Sequence, residues 1–172
     1  MLAKNDRLLV LSEVRGRLNY DPITGIFTRK KCTGLSGGRK AGSIAGAIGS
    51  GGYVYIVVCR TKVVAHRLAW LHYYGTASDK YLDHKDGCRT NNAIENLREA
   101  STSENIANSR LSTANKSGHK GVSWHSKAQK WEAKIWVDYT PHYLGLFSSK
   151  EDASEAYRSA AMRLFGEFAR FE

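Results

Sequence analysis

The stretch from Tyr81 to Arg110, YLDHKDGCRTNNAIENLREASTSENIANSR, limits what this chain can fold into more than any other. It sets Asp83 beside His84, places Asn96 twelve residues after the histidine and Asn105 nine residues after that. Tyr81-Leu82-Asp83-His84 reads as a short strand and Lys85 to Ala93 as a polar loop closed by Thr90-Asn91-Asn92. Ile94 to Glu99 reads as a second strand. Ser101 followed by Glu104 has capping-box spacing, so a helix is expected from there to about Arg110, with Asn105 near its first turn. A carboxylate and an amide oxygen are hard donors that can hold a divalent cation. A histidine beside them can take a proton from water near neutral pH. The set suits metal-dependent hydrolysis of a phosphodiester.

The pattern D-H-x-D-G-x-R-T-N-N-x-I-E-N-L-R-x-A-[ST]-x-S-E-N resembles the HNH nuclease motif, in the variant with asparagine at its third position that is typical of phage and intron homing endonucleases. His66-Arg67-Leu68-Ala69-Trp70 matches the helix that precedes the motif in that family, and the resemblance covers roughly residues 20 to 110. It implies an N-terminal ββα-metal domain. His84 would be the general base, Asp83 and Asn105 the metal ligands, and Asn96 a catalytic residue that orients the histidine or braces the loop. One Mg²⁺ or Mn²⁺ per site is implied, with no small-molecule cofactor. Arg67, Arg89 and Arg98 are candidate phosphate contacts. His66 invites a metal role, but the expectation is that it packs or hydrogen-bonds beneath the site.

Composition narrows the partners. The formal charge is +10 and the isoelectric point about 9.6, which favours a polyanion, most simply double-stranded DNA. No apolar run is long enough for a membrane span, and Leu8 to Leu11 is too short for a secretory signal. A cytoplasmic protein of a phage-infected bacterial cell is the expectation. The three cysteines, Cys32, Cys59 and Cys88, include no C-x-x-C pair, so no structural zinc is expected.

Upstream of the motif, Leu8, Leu11, Val14 and Leu18 have the spacing of a short amphipathic helix. Tyr20 to Gly25 reads as a turn leading into a strand at Ile26-Phe27-Thr28, an opening that also recurs ahead of HNH motifs. Residues 33 to 52 are glycine-rich without a P-loop or dinucleotide pattern, so loops and short strands are expected. Tyr53 to Cys59 reads as a strand, Arg60-Thr61-Lys62 as a turn, Val63-Val64-Ala65 as its hairpin partner, and His66 to Tyr74 as a helix stopped by Gly75.

Ser109 to Ser117 is small and polar, and the pattern changes after it. Three strands are expected at 121–125, 131–137 and 143–147. A helix capped by Ser148 or Ser149 should follow to about Phe165, ended by Gly166. The segment K-G-V-x-W…K-W-x-A-x-I…Y-L-G-x-F…E-D-A-x-x-A-Y is similar to the plant ethylene-response-factor DNA-binding domain. That likeness implies a sheet lying in the major groove, with contacts at Lys120, Ser123, His125, Lys127, Lys134, Trp136 and Tyr143. Several arginines of that family are Ser, His or Lys here, so its sequence preference does not carry over. Residues 116–147 hold five lysines against Glu132 and Asp138, whereas the helical end is slightly acidic, as docking by the sheet would require.

The fold class is therefore α+β. An HNH nuclease domain is expected over 1–110, a linker over 111–117, and a three-stranded antiparallel sheet packed on one helix over 118–172. The expected function is site-directed DNA cleavage leaving 5′-phosphate and 3′-hydroxyl ends. A non-cleaving DNA-binding regulator of phage origin is the alternative. Monomer and dimer are both open.

Overall fold

The computed structural model describes residues 11–31 and 40–171. The chain divides into two compact units, one ending at Glu99 and the other beginning at Ala100. The expected helix positions before Leu11, Cys32 and the glycines at 34, 37 and 38 lie outside the described residues.

In the first unit, helix α1 (Leu11–Arg17) hands directly to strand β1 (Leu18–Tyr20), which pairs antiparallel with β2 (Phe27–Arg29). Leu18 thus begins a strand instead of extending the helical stripe. Its fully buried side chain serves the same core as Val14. The Tyr20–Gly25 turn is tied by the Asp21 carboxylate, which accepts from Ile23 N at 3.0 Å and from Thr24 Oγ1 at 2.7 Å. Gly25 has φ +71°, and a Cβ there would stand 2.3 Å from Ala93 N. The turn therefore packs directly beneath the motif loop, and Ile94 N donates to Pro22 O at 2.9 Å across that contact.

The described part of the glycine-rich stretch includes β3 (Ala47–Ile48), which pairs with β4 (Val54–Val58). β4 returns as β5 (Thr61–Val64). The reversal falls at Cys59-Arg60, both at positive φ, one position earlier than the basic triplet suggests. Such a two-residue turn matches the strand twist. Helix α2 (Ala65–Tyr74) follows and ends at Gly75. Ala65, Leu68, Ala69 and Leu71 bury one face of α2 against Ile56, Val58 and Val63. β6 (Tyr81–His84) pairs with β7 (Leu97–Ala100). Residues Ile94–Asn96 form a 3-10 turn where the sequence suggests strand, so the second strand begins only at Leu97.

In the second unit, α3 (Thr102–Ala107) starts at a complete capping box: Ser101 Oγ accepts from Glu104 N and Glu104 accepts from Ser101 N. It stops three residues short of the expected Arg110. β8 (Val122–His125), β9 (Lys130–Val137) and β10 (Thr140–Phe147) form an antiparallel sheet in the order β10-β9-β8. Helix α4 (Lys150–Phe165) is capped by Ser149 Oγ, which accepts from Asp152 N, and is ended by Gly166. Val122, Ala133 and Ile135 face the helix and meet Ala153, Tyr157, Ala160 and Phe165. Gly121 sits where a Cβ would stand 2.2 Å from the Tyr157 ring, so the strand approaches the helix only because the side chain is absent. The loop before it is ordered by Ser117, whose buried hydroxyl donates to Val122 O at 2.8 Å. Among the described residues no helix is long and apolar enough to cross a membrane.

Candidate active site

Alternation along β6 sends Asp83 and His84 to opposite sides of one short strand. Both are buried, at 6% and 4% exposure. Burying a charge is costly unless it is paired. Asp83 meets that requirement through Arg98 on β7, whose Nε donates to Asp83 Oδ2 at 3.0 Å. Arg98, a candidate phosphate contact in the sequence, is itself 9% exposed and held in this ion pair.

His84 lies in an aromatic pocket. Its ring meets His66 edge-on at 5.1 Å between centroids, and Tyr53 lies 6.1 Å away. His84 Nε2 stands 3.3 Å from Asn92 Oδ1. The amide is oriented by its own nitrogen, which donates to Thr90 O at 3.1 Å. With the oxygen toward the histidine, the bond requires the proton on Nε2 and leaves the lone pair on Nδ1. Burial lowers the His84 pKa below the ordinary histidine value, and the Arg89 charge adds to this. The Asn92 bond and the Asp86 and Asp83 carboxylates oppose it. Burial and the neighbouring His84 push His66 down to about 3, so His66 is neutral at physiological pH. A neutral imidazole can accept a proton.

The loop between β6 and β7 is held by its own side chains. Asn96 Nδ2 donates to Asp86 Oδ1 at 3.0 Å and to Asn91 O at 2.8 Å, while its Oδ1 accepts from Asp86 N at 3.1 Å. Asn91 Nδ2 donates to Asp86 Oδ2 at 2.7 Å. Of the two roles open to Asn96, these bonds are those of a loop brace. Arg89 is exposed, donates to Gly51 O at 2.7 Å and lies over the Tyr53 ring. Arg67 is half-buried, with its guanidinium 3.4 Å from Ser78 O. Asn105 is an exposed residue of α3.

In the second unit the register gathers the expected contacts onto one face. Ser123 stands opposite Glu132, His125 opposite Lys130, and Lys134 opposite Tyr143. Trp136 shares that face by alternation and is 56% exposed. Lys127 lies exposed in the β8–β9 turn, and His125 Nδ1 accepts from Ala128 N to hold that turn. Lys120 differs from the rest. It is half-buried, and its ammonium donates to Ala107 O and Ser109 O at 2.6 Å each. Burial, with Arg170 nearby, lowers its pKa to about 8.

Tyr53, Asp86, Asn91 and Asn92 join the site although the motif alone does not single them out. Asp86 and the two asparagines have a local signal, since such side chains tie tight loops. Tyr53 has none, because its place beside His66 and His84 is a contact between rings far apart in the sequence.

Among the described residues no three His, Cys, Asp or Glu side chains cluster as a metal cage. The donors implied by the sequence are one carboxylate and one amide oxygen. Such a pair suits Mg²⁺, which usually keeps several waters and takes few protein ligands.

Residues 63–107 match the HNH endonuclease family. The chain is 35% identical over 91 residues to Protein 3.8 of Escherichia phage T7, a match covering 53% of this chain and 74% of that protein. It is 34% identical over 92 residues to an uncharacterized HNH endonuclease, L560, of Acanthamoeba polyphaga mimivirus, covering 54% of this chain and 46% of that protein. The chain thus spans less than half the length of the mimivirus relative. No solved structure matches the chain. The Asp-His strand, the braced loop and the capped helix all fall inside the segment that matches the HNH endonuclease family, so the chain carries an HNH endonuclease domain and is a relative of Protein 3.8.

Proposed function

We propose that this protein is a metal-dependent, site-directed DNA endonuclease of the homing type, of phage origin. The observation that carries the reading is His84: neutral, buried, fixed in one tautomer by Asn92, and adjacent to the ion-paired Asp83. His84 Nδ1 takes the proton from the attacking water. Asn92 holds the ring, and Asn96 with Asp86 and Asn91 holds the loop that carries Asn92. Asp83 and Asn105 would hold one Mg²⁺ or Mn²⁺. The chemistry such an ion would supply is electrostatic stabilisation of charge on the scissile phosphate and the leaving 3′ oxygen. The products are a 5′-phosphate and a 3′-hydroxyl.

The C-terminal unit positions the substrate as an ethylene-response-factor-type DNA-binding domain. Ser123, His125, Lys127, Lys134, Trp136 and Tyr143 contact DNA from the open face of its sheet. Arg67 and Arg89 contact phosphates near the nuclease motif. The relatives support a viral setting: one is a phage protein, and the other carries an HNH endonuclease name from a giant virus.

The test is cleavage of supercoiled plasmid and of phage and host genomic DNA with Mg²⁺, with Mn²⁺ and with EDTA. Open circles or discrete fragments are expected with either ion and none with EDTA. His84→Ala should abolish cutting and leave DNA binding intact. Undiminished cutting by that variant would remove His84 from the mechanism.

A further inference from the structure

We propose that Ser103, Asp138 and Lys120 are positioning residues for Asn105, because the helix bearing Asn105 is built into the C-terminal sheet-and-helix unit. The inference rests on the nuclease reading, which makes Asn105 a metal ligand.

Helix α3 has six residues. A helix that short is unstable in water without tertiary support. Its capping box satisfies donors at one end but does not place the helix in space. Three sets of contacts do so. Ala107, 4% exposed, packs into the cluster formed by Ile135, Tyr157 and Phe165. Ser103 Oγ accepts from Asp138 N at 2.8 Å and donates to Asp138 Oδ1 at 3.0 Å. Lys120 Nζ caps the far end by donating to Ala107 O and Ser109 O, and Arg170 N donates to Ala107 O at 3.2 Å. A cation on the last carbonyls of a helix is the favourable pairing.

The geometry of α3 separates anchor from function. Ser103 and Ala107 lie four residues apart on one face, and both are buried. Asn105 lies about 200° around the helix from each, on the exposed side. Anchoring the helix therefore does not occupy its amide. Asp138 belongs to the turn joining β9 to β10, where it and Tyr139 both take positive φ. Those two strands carry Lys134, Trp136 and Tyr143. One hairpin thus presents the proposed DNA face and also grips the helix of the proposed metal ligand.

The experiment uses the full chain with Ser103→Ala, Lys120→Met, Ser103→Thr and a control, Lys150→Met on α4. Three quantities are read: hydrogen exchange of the Asn105 and Asn108 amides, Mn²⁺ affinity by electron paramagnetic resonance, and the Mg²⁺ concentration giving half-maximal plasmid cutting. Ser103→Ala and Lys120→Met should speed exchange in α3, weaken Mn²⁺ binding about tenfold and raise the Mg²⁺ requirement to match. DNA affinity should hold, Ser103→Thr should restore Ser103→Ala, and Lys150→Met should behave as wild type. Wild-type exchange and Mn²⁺ affinity in folded Ser103→Ala and Lys120→Met would overturn the proposal. Lost DNA affinity in Lys120→Met with unchanged α3 exchange would also overturn it for that residue. If Ser103→Ala does not fold, Lys120→Met decides. Wild-type protein that cuts no DNA with either ion would instead overturn the nuclease reading, while exchange in α3 would still report on the anchoring.

Discussion

At the scale of single residues, burial decides what the charged groups of the motif can do. Asp83 and Arg98 are each nearly inaccessible, and Arg98 Nε donates to Asp83 Oδ2 at 3.0 Å. Removing one partner of a buried pair leaves the other charge in a poor solvent, so Arg98→Met should destabilise the fold by about 3 kcal/mol, read by urea denaturation. Replacing an exposed arginine such as Arg89 should cost far less stability. His66 supplies a pH signature. Its folded pKa is about 3 against 6.5 in the unfolded chain. Above 6.5 neither state binds the proton and the native contribution is intact. Below it the unfolded chain takes up a proton that the folded chain refuses. Stability should therefore fall by up to about 1.4 kcal/mol per pH unit between 6.5 and 3. His84 has the same sign, since burial lowers its pKa too. Denaturation series at pH 7.5, 6 and 5 should show the slope, and His66→Phe should flatten it. Asp83, His84 and Asn96 could be picked out of the sequence by their spacing. The pairing of Arg98 could not, because whether an arginine faces solvent or a carboxylate depends on the strand opposite.

At the scale of elements, the turns and caps transmit precision to the site. The Asp21–Gly25 turn lies against Asn92 and Ala93, and Tyr20 OH donates to Asn92 O at 2.7 Å. Asn92 in turn holds His84. Gly25→Ala would need both an unfavourable positive φ and displacement of backbone at 2.3 Å. A loss of about 2 kcal/mol or more in thermal or urea unfolding is expected. Cutting should also slow, because the loop orienting the histidine would shift. Ser101→Ala removes the cap of α3 and should cost about 1 kcal/mol, with faster amide exchange confined to that helix. Element types and most boundaries were legible in the sequence. Tyr53–Cys59 and Trp131–Val137 read as strands, the Ser101/Glu104 spacing marked the start of α3, and Gly75 and Gly166 marked helix ends. The misreadings were local. Leu18 fits both a helical stripe and a strand start, and the choice for strand comes from pairing with Arg29 across the chain reversal. Ile94 fits a strand by propensity, but the 3-10 turn lets Asn96 reach Asp86.

At the scale of the whole molecule, the +10 charge should make DNA association strongly salt-dependent. In the first unit a cleft is lined by Arg17, Arg29, Lys31 and Arg60, and in the second the open sheet face carries lysines and exposed aromatics. Lys127→Ala should weaken binding uniformly across DNA sequences and reduce the log–log salt slope by about 1. Trp136→Ala should weaken binding with little change in that slope, since stacking and apolar contact release no counterions. Fluorescence anisotropy across a salt series separates the two. By itself the sequence determined the α+β class, the order of most elements and the motif bearing Asp83, His84, Asn96 and Asn105, while its charge favoured a polyanionic partner. These follow from composition, periodicity and spacings within about thirty residues, where covalent connection limits the arrangements. Only the tertiary structure decided that Arg98 neutralises Asp83, that His66 and Tyr53 wall in His84, and that Lys120 turns inward to cap α3. Those outcomes depend on which surfaces pack across long separations, and a charge or ring acquires its role from the neighbour that burial assigns to it.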